Sequence, residues 1–156
     1  AGMNRYRNTA FVLAALALAG TSIAQEQSFA GGYKATMSPE LAARLKKADV
    51  AAGDNFFERK CSQCHDGEKT GGHAKGPFLW NVFGRKAGSI AGFEFSEAMK
   101  KSGITWDYAT LDYYLANTER AVPGKAMNFA GIEDADLRAA VVLHLRKMAD
   151  KPAKLP

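Results

Sequence analysis

Two cysteines and the histidine that follows the second carry the chemistry of this chain, in the string Cys61-Ser62-Gln63-Cys64-His65. The chain has 2 cysteines in all, so the string holds both of them. A Cys-x-x-Cys-His spacing suits covalent attachment of a c-type haem. Two thiols three positions apart near a helix end can reach the two vinyl groups of one porphyrin, and the next imidazole then meets the iron. The reading makes Cys61 and Cys64 thioethers and His65 the proximal ligand, with one haem c as cofactor.

Other uses of the same residues make further demands. A thioredoxin-like pair belongs at a strand-to-helix junction, and no β-rich segment precedes Cys61. A structural zinc site needs two more ligands, whereas no cysteine remains and His73 and His144 form no paired motif. A disulfide spanning two residues would constrain little.

A second axial ligand would come from one of 5 methionines. Met3 lies in an apolar leader, Met37 in a polar connector, Met99 in a short helix, and Met148 on the last helix, where core packing accounts for it. Met127 stands differently, between the turn-forming Val122-Pro123-Gly124 and Asn128-Phe129-Ala130-Gly131. A thioether in such a loop can face the iron opposite His65.

The elements that must position these groups are helical. Ser38 as N-cap with Pro39 at the first position opens a helix through Lys47. Asp49 caps a second, on which Val50, Gly53 and Phe57 share helical spacing and lead into Cys61. Gly53 is costly in a helix interior, by about 1 kcal/mol relative to alanine, which suggests another backbone passing close by. The partner expected there is the last helix, over 133–148, where Leu137, Val141, Leu145 and Met148 recur on one face and the charge order suits the helix dipole. A third helix should run from the Asp107 cap to about Asn117, and a short one over 96–102 should stop at Gly103. Residues 66–95 are glycine-rich and aperiodic, and read as loops.

Length and composition suit one domain with appendages: 156 residues, 47% hydrophobic and 24% charged. Arg5 and Arg7, the apolar run that follows and Ser22-Ile23-Ala24 make residues 1–24 a signal peptide, with a retained membrane anchor as the alternative. Residues 25–48 read as a polar extension carrying the first short helix, 49–150 as the haem domain and 151–156 as a tail. The net charge of +5 is not evenly spread. Residues 49–150 hold 13 basic against 14 acidic side chains, yet 59–101 hold 8 basic against 4 acidic, so a local positive face can steer docking. No nucleic-acid motif is present.

In order and spacing the chain resembles class I cytochrome c, of the mitochondrial and bacterial c2 types, from about Asp49 to Met148. The resemblance rests on Phe57, the Cys61 to His65 string, Gly76-Pro77 with Leu79, Phe83-Gly84-Arg85-Lys86, Gly103-Ile104-Thr105-Trp106, Tyr114-Leu115, Pro123-Gly124, and Met127 with Phe129-Ala130-Gly131-Ile132. It implies an all-α fold of a few helices and long loops wrapped around one covalent haem. It also implies roles for matching positions. The Pro77 carbonyl would support the second ring nitrogen of His65, Arg85 and Trp106 would bind a haem propionate, Tyr114 would lie near the Met127 sulfur, and Phe129 would shield the haem edge. Taken alone, each could equally be a packing residue. The chain departs from the family's usual residues at Phe95, Met99 and Lys125-Ala126, which bears on the propionate hydrogen bonds and the potential and leaves ligation untouched.

The function this implies is one-electron carriage without enzymatic turnover. The implied partners are a cytochrome bc complex as donor and a terminal oxidase or photosynthetic reaction centre as acceptor. A periplasmic monomer would dock transiently by its haem edge through lysines such as Lys60, Lys75, Lys86, Lys100 and Lys125. Alternatives are a carrier tethered to the periplasmic face of the inner membrane, a dedicated acceptor for one periplasmic dehydrogenase, and a haem peroxidase, which would need an open sixth position.

Overall fold

Six helices among the described residues begin where a short polar side chain is free to accept the first orphan N–H groups. The computed structural model describes residues 26–156, and the leader expected over 1–24 lies outside them. Helix α1 (Pro39–Lys47) is capped by Ser38, whose side chain accepts from the Leu41 amide. Helix α2 (Val50–Phe56) is capped by Asp49 in the same way through Ala52. Helix α3 (Glu97–Lys101) follows the Ser96 cap and ends before Gly103, which takes φ +70°. Helix α4 (Tyr108–Ala116) carries a full capping box, in which Asp107 and Thr110 bond one another's amides at 2.8 Å. Helix α5 (Thr118–Ala121), capped by Asn117, was not foreseen, because four residues are too few to show a period. Helix α6 (Ala135–Lys147) opens at Asp134, whose carboxylate accepts from two amides, so it starts two residues later than expected.

Among the described residues the fold is helical, with one isolated antiparallel bridge between Lys86 and Thr105. Its centre is the crossing of α2 on α6. A Cβ on Gly53 would fall 2.3 Å from the Ala140 carbonyl oxygen, so glycine is what lets the two backbones touch. Helix α6 also packs on α1 and α4 and is buried on most sides, with Ala139, Ala140, Val141, Val142 and Leu143 all inside. A single stripe through Leu137, Val141, Leu145 and Met148 therefore understates its burial, and Leu137 is only half-buried. Val50, expected on the inner face of α2, is 41% exposed.

The segment read as a polar connector is folded onto the domain. Phe29, Leu41 and Leu45 join the same core as Phe57, Tyr114 and Leu145. The Phe29 amide donates to the Ala121 carbonyl at 3.0 Å, and the Tyr113 hydroxyl donates to the Gln27 carbonyl at 2.8 Å. Tyr33 stacks on Tyr113 at 4.0 Å, Phe29 meets Tyr113 edge-on, and the Arg120 guanidinium lies over the Tyr113 ring. At the other end, the Tyr108 hydroxyl and Arg146 Nε donate to the Lys154 and Ala153 carbonyls, which ties down the tail.

Candidate functional site

Helix α2 runs into a π-helical turn, Phe57–Cys61, which closes when the Ser62 amide bonds the Phe57 carbonyl at 3.0 Å. The wider turn leaves carbonyls short of partners. The two residues between the cysteines supply them: the Ser62 hydroxyl donates to the Glu58 carbonyl, and Gln63 Nε2 donates to the Arg59 carbonyl at 2.6 Å. Ser62 and Gln63 thus turn outward and are exposed, while Cys61, Cys64 and His65 are half-buried. The Cys64 and His65 amides both return to the Cys61 carbonyl, at 3.0 and 2.9 Å, which puts Cys64 and His65 about one turn on from Cys61, at the spacing of neighbours on one face.

Cys61 and Cys64 are not joined by a disulfide. Burial first, and Cys64 beside it second, push the Cys61 thiol up to about 11. Among the described residues no strand precedes Cys61, so the pair lacks the strand-to-helix junction of a thioredoxin-like site.

His65 is held from two sides. Its Nδ1 lies 2.8 Å from the Pro77 carbonyl, which can only accept, so Nδ1 carries the proton and Nε2 keeps its lone pair. Burial lowers the imidazole's proton affinity, and the Pro77 bond partly restores it. The ring rests on Gly76, where a Cβ would be 2.4 Å from Cε1. The 2.6 Å bond from the Gly76 amide to the Cys64 carbonyl fixes this approach.

The bridge at Lys86 and Thr105 brings Arg85 and Trp106 together, since the Trp106 amide bonds the Arg85 carbonyl at 3.0 Å. The Arg85 guanidinium donates to the Phe78 carbonyl at 2.6 Å and to the Trp80 carbonyl. Burial disfavours its charged form, and among the described residues it meets carbonyls and no carboxylate. Such a cation suits an anionic group brought in from outside the chain. Trp106 is buried and packs on Tyr114 at 5.2 Å. Burial raises the Tyr114 phenol, with the Glu119 carboxylate adding to the effect.

The Met127 loop is anchored at both ends. Residues 122–125 form a turn closed by Lys125 N–H to the Val122 carbonyl at 3.1 Å, with Pro123 second and Gly124 third at φ +82°. On the return side the fully buried Thr118 bonds the Phe129 and Ala130 carbonyls, and the Ile132 amide reaches the Leu115 carbonyl at 2.7 Å. Cys61, Leu79 and Met127 all pack against the core that holds Trp106 and Tyr114, and Phe129 is half-buried beside Met127 in sequence.

The remaining candidates fall away from this centre. His73 spends both ring nitrogens on loop backbone, at the Ala91 carbonyl and the Phe78 amide. His144 stacks on Phe57 and bonds Asp54 at 2.7 Å, linking α6 to α2. Met148 is core, and Met37 is exposed. Lys125, expected as a docking cation, is a correction: its side chain is 11% exposed and its ammonium is turned inward. Its neighbours in sequence carried no periodic signal that could have shown this.

These side chains fit a covalent haem: two cysteines and an imidazole at the spacing of neighbours on one helical face, a lone pair left on His65 Nε2, and an uncompensated guanidinium nearby. The cytochrome c family model matches residues 50–149. Cytochrome c of Chlamydomonas reinhardtii is 42% identical over 105 residues, covering 67% of this chain and 94% of that protein. Cytochrome c of Gibberella zeae is 40% identical over 98 residues, covering 63% and 92%. Cytochrome c 2.1 of Caenorhabditis briggsae is 38% identical over 110 residues, covering 67% and 97%. Residues, geometry and relatives agree that this chain belongs to the cytochrome c family, as a class I member with one covalent haem c and the all-α fold of that class.

Proposed function

We propose that this mono-haem electron carrier is an exported, monomeric periplasmic protein that accepts electrons from a cytochrome bc complex and delivers them to a terminal oxidase or photosynthetic reaction centre. Cys61 and Cys64 would hold the haem as thioethers, His65 through Nε2 and Met127 through its sulfur would ligate the iron, and Arg85 with Trp106 would receive a propionate. Tyr114 would lie near the Met127 sulfur, and Phe129 would cover the exposed haem edge. When bound, haem c supplies a one-electron ferric/ferrous couple, and His/Met ligation raises its potential.

The observation that carries this reading is the His65 ring, pinned between Gly76 and the Pro77 carbonyl with Nε2 left to ligate. A rigid ligand lowers the reorganisation that accompanies a change of charge. A thioether in the other axial position leaves no open site for oxygen or peroxide, which disfavours a peroxidase.

Docking falls to the exposed cations Lys60, Lys75, Lys86 and Lys100. Lys100 also pairs with Glu97 at 3.0 Å, so its field is partly offset. Electron-transfer rates with isolated bc complex and oxidase, measured over a range of ionic strength, test the partner assignment. The rates should fall as salt rises, and Lys75→Gln with Lys86→Gln should flatten that dependence. Rates indifferent to both would overturn docking through this face. Among the described residues no helix is long and apolar enough to cross a membrane. Mass analysis of the native N-terminus tests export, with removal of residues 1–24 expected; a retained leader would favour the tethered carrier.

A further inference from the structure

Lysine is the residue least suited to burial, yet the Lys125 side chain is 11% exposed. Its ammonium donates to the Met127 carbonyl at 2.7 Å and lies 3.4 Å from Glu119 Oε2. The other carboxylate oxygen, Oε1, accepts the Gly124 amide at 3.2 Å. One glutamate on α5 therefore engages two successive residues of the turn, and the second of these reaches over to the residue that carries the sulfur.

We propose that Lys125 is a positioning residue for Met127, its ammonium locking the methionine loop in one shape against α5. This rests on the reading of Met127 as the second axial ligand. The Met127 carbonyl accepts from both Lys125 Nζ and the Phe129 amide, so its direction is fixed from two sides. A fixed carbonyl fixes the peptide from which the Met127 side chain projects. Thr118 anchors the far end of the loop, and without Lys125 the near end would keep its turn and the Gly124 bond to Glu119, with no side chain reaching the Met127 carbonyl. Glu119 is 65% exposed, so its attraction is screened, and the inward bond to the Met127 carbonyl is the stronger half of the device.

The test uses ferric holoprotein and imidazole, which competes with the Met127 sulfur for iron. Lys125→Ala should tighten imidazole binding about tenfold, the order expected for loss of one charge-assisted hydrogen bond. Glu119→Gln keeps an acceptor for Gly124 and removes the charge, and should tighten it about twofold to threefold. Hydrogen exchange supplies a readout that needs no added ligand: the Phe129 amide should lose protection in both variants while amides of α6 keep theirs. Lys101→Ala, which removes an exposed lysine, should change neither. If Lys125→Ala yields no holoprotein, Glu119→Gln still decides the matter. Unchanged imidazole affinity and unchanged Phe129 protection would overturn the proposal, as would a loss of protection spread equally over α6. If wild-type protein binds imidazole as tightly as Met127→Ala, the failure lies instead in the ligand assignment.

Discussion

The His65 ring lies across the α-carbon of Gly76 so closely that a Cβ there would stand 2.4 Å from Cε1 and 2.7 Å from Nδ1. The Pro77 carbonyl oxygen lies 2.8 Å from Nδ1 of the same ring. Two consecutive residues thus set both the position and the tautomer of one imidazole. Gly76→Ala should push the ring off this acceptor, destabilising the holoprotein by about 1–3 kcal/mol through overpacking. Denaturant unfolding of the holoprotein checks the magnitude, and the yield of covalently attached haem should fall with it.

At Gly53 two effects of opposite sign compete. Alanine would gain about 1 kcal/mol of helix propensity, whereas its Cβ would enter the Ala140 carbonyl at 2.3 Å. Backbone cannot step aside as a side chain can, so the clash wins. Gly53→Ala should lower stability in urea titrations, against the direction that propensity alone would give.

The caps at Ser38, Asp49 and Asp107, and the glycine at the helix crossing, were legible because each acts within a turn or two of its own position, whereas the Asp134 cap was hidden among the acidic residues that open the last helix. The cysteine string and the Pro123-Gly124 turn were legible for the same reason. What escaped was non-local. Phe29 and Tyr33 sit in a polar stretch without period, and their partner Tyr113 lies some 80 residues away, so nothing nearby marks them as core. Lys125 reads as a surface cation until the fold shows where its ammonium goes. The π-helical turn before Cys61 has no composition of its own, and it becomes visible only through the Ser62 to Phe57 bond.

Because Phe29 is buried and its amide bonds Ala121, Phe29→Ala should cost about 3–5 kcal/mol, a core-sized penalty rather than that of a connector. Calorimetry of the holoprotein measures it. Hydrogen exchange should show the loss concentrated in α5 and the facing part of α4.

Asp54 joins α2 to α6 through Lys147 at 2.7 Å and His144 at 2.7 Å. The Lys147 ammonium first, and the His144 hydrogen bond second, hold its carboxyl below the usual aspartate range. A carboxylate with a lowered folded value adds stability that is complete above its unfolded value, about pH 4, and is lost as pH falls through the folded one. The pair is half-exposed, so the contribution is at most about 1 kcal/mol. Asp54→Asn should reduce stability at pH 7 and flatten the acid limb of a stability profile below about pH 4.

In the proposed holoprotein His65 and Met127 close the iron between them. The most direct measurement is the optical spectrum and redox titration of the holoprotein, wild type beside Met127→Ala. The wild-type ferric protein should show a six-coordinate, low-spin spectrum with the weak red band of a methionine-ligated haem, and Met127→Ala should lose that band and drop in potential. A five-coordinate wild-type haem, or a potential that Met127→Ala leaves where it was, would contradict the account.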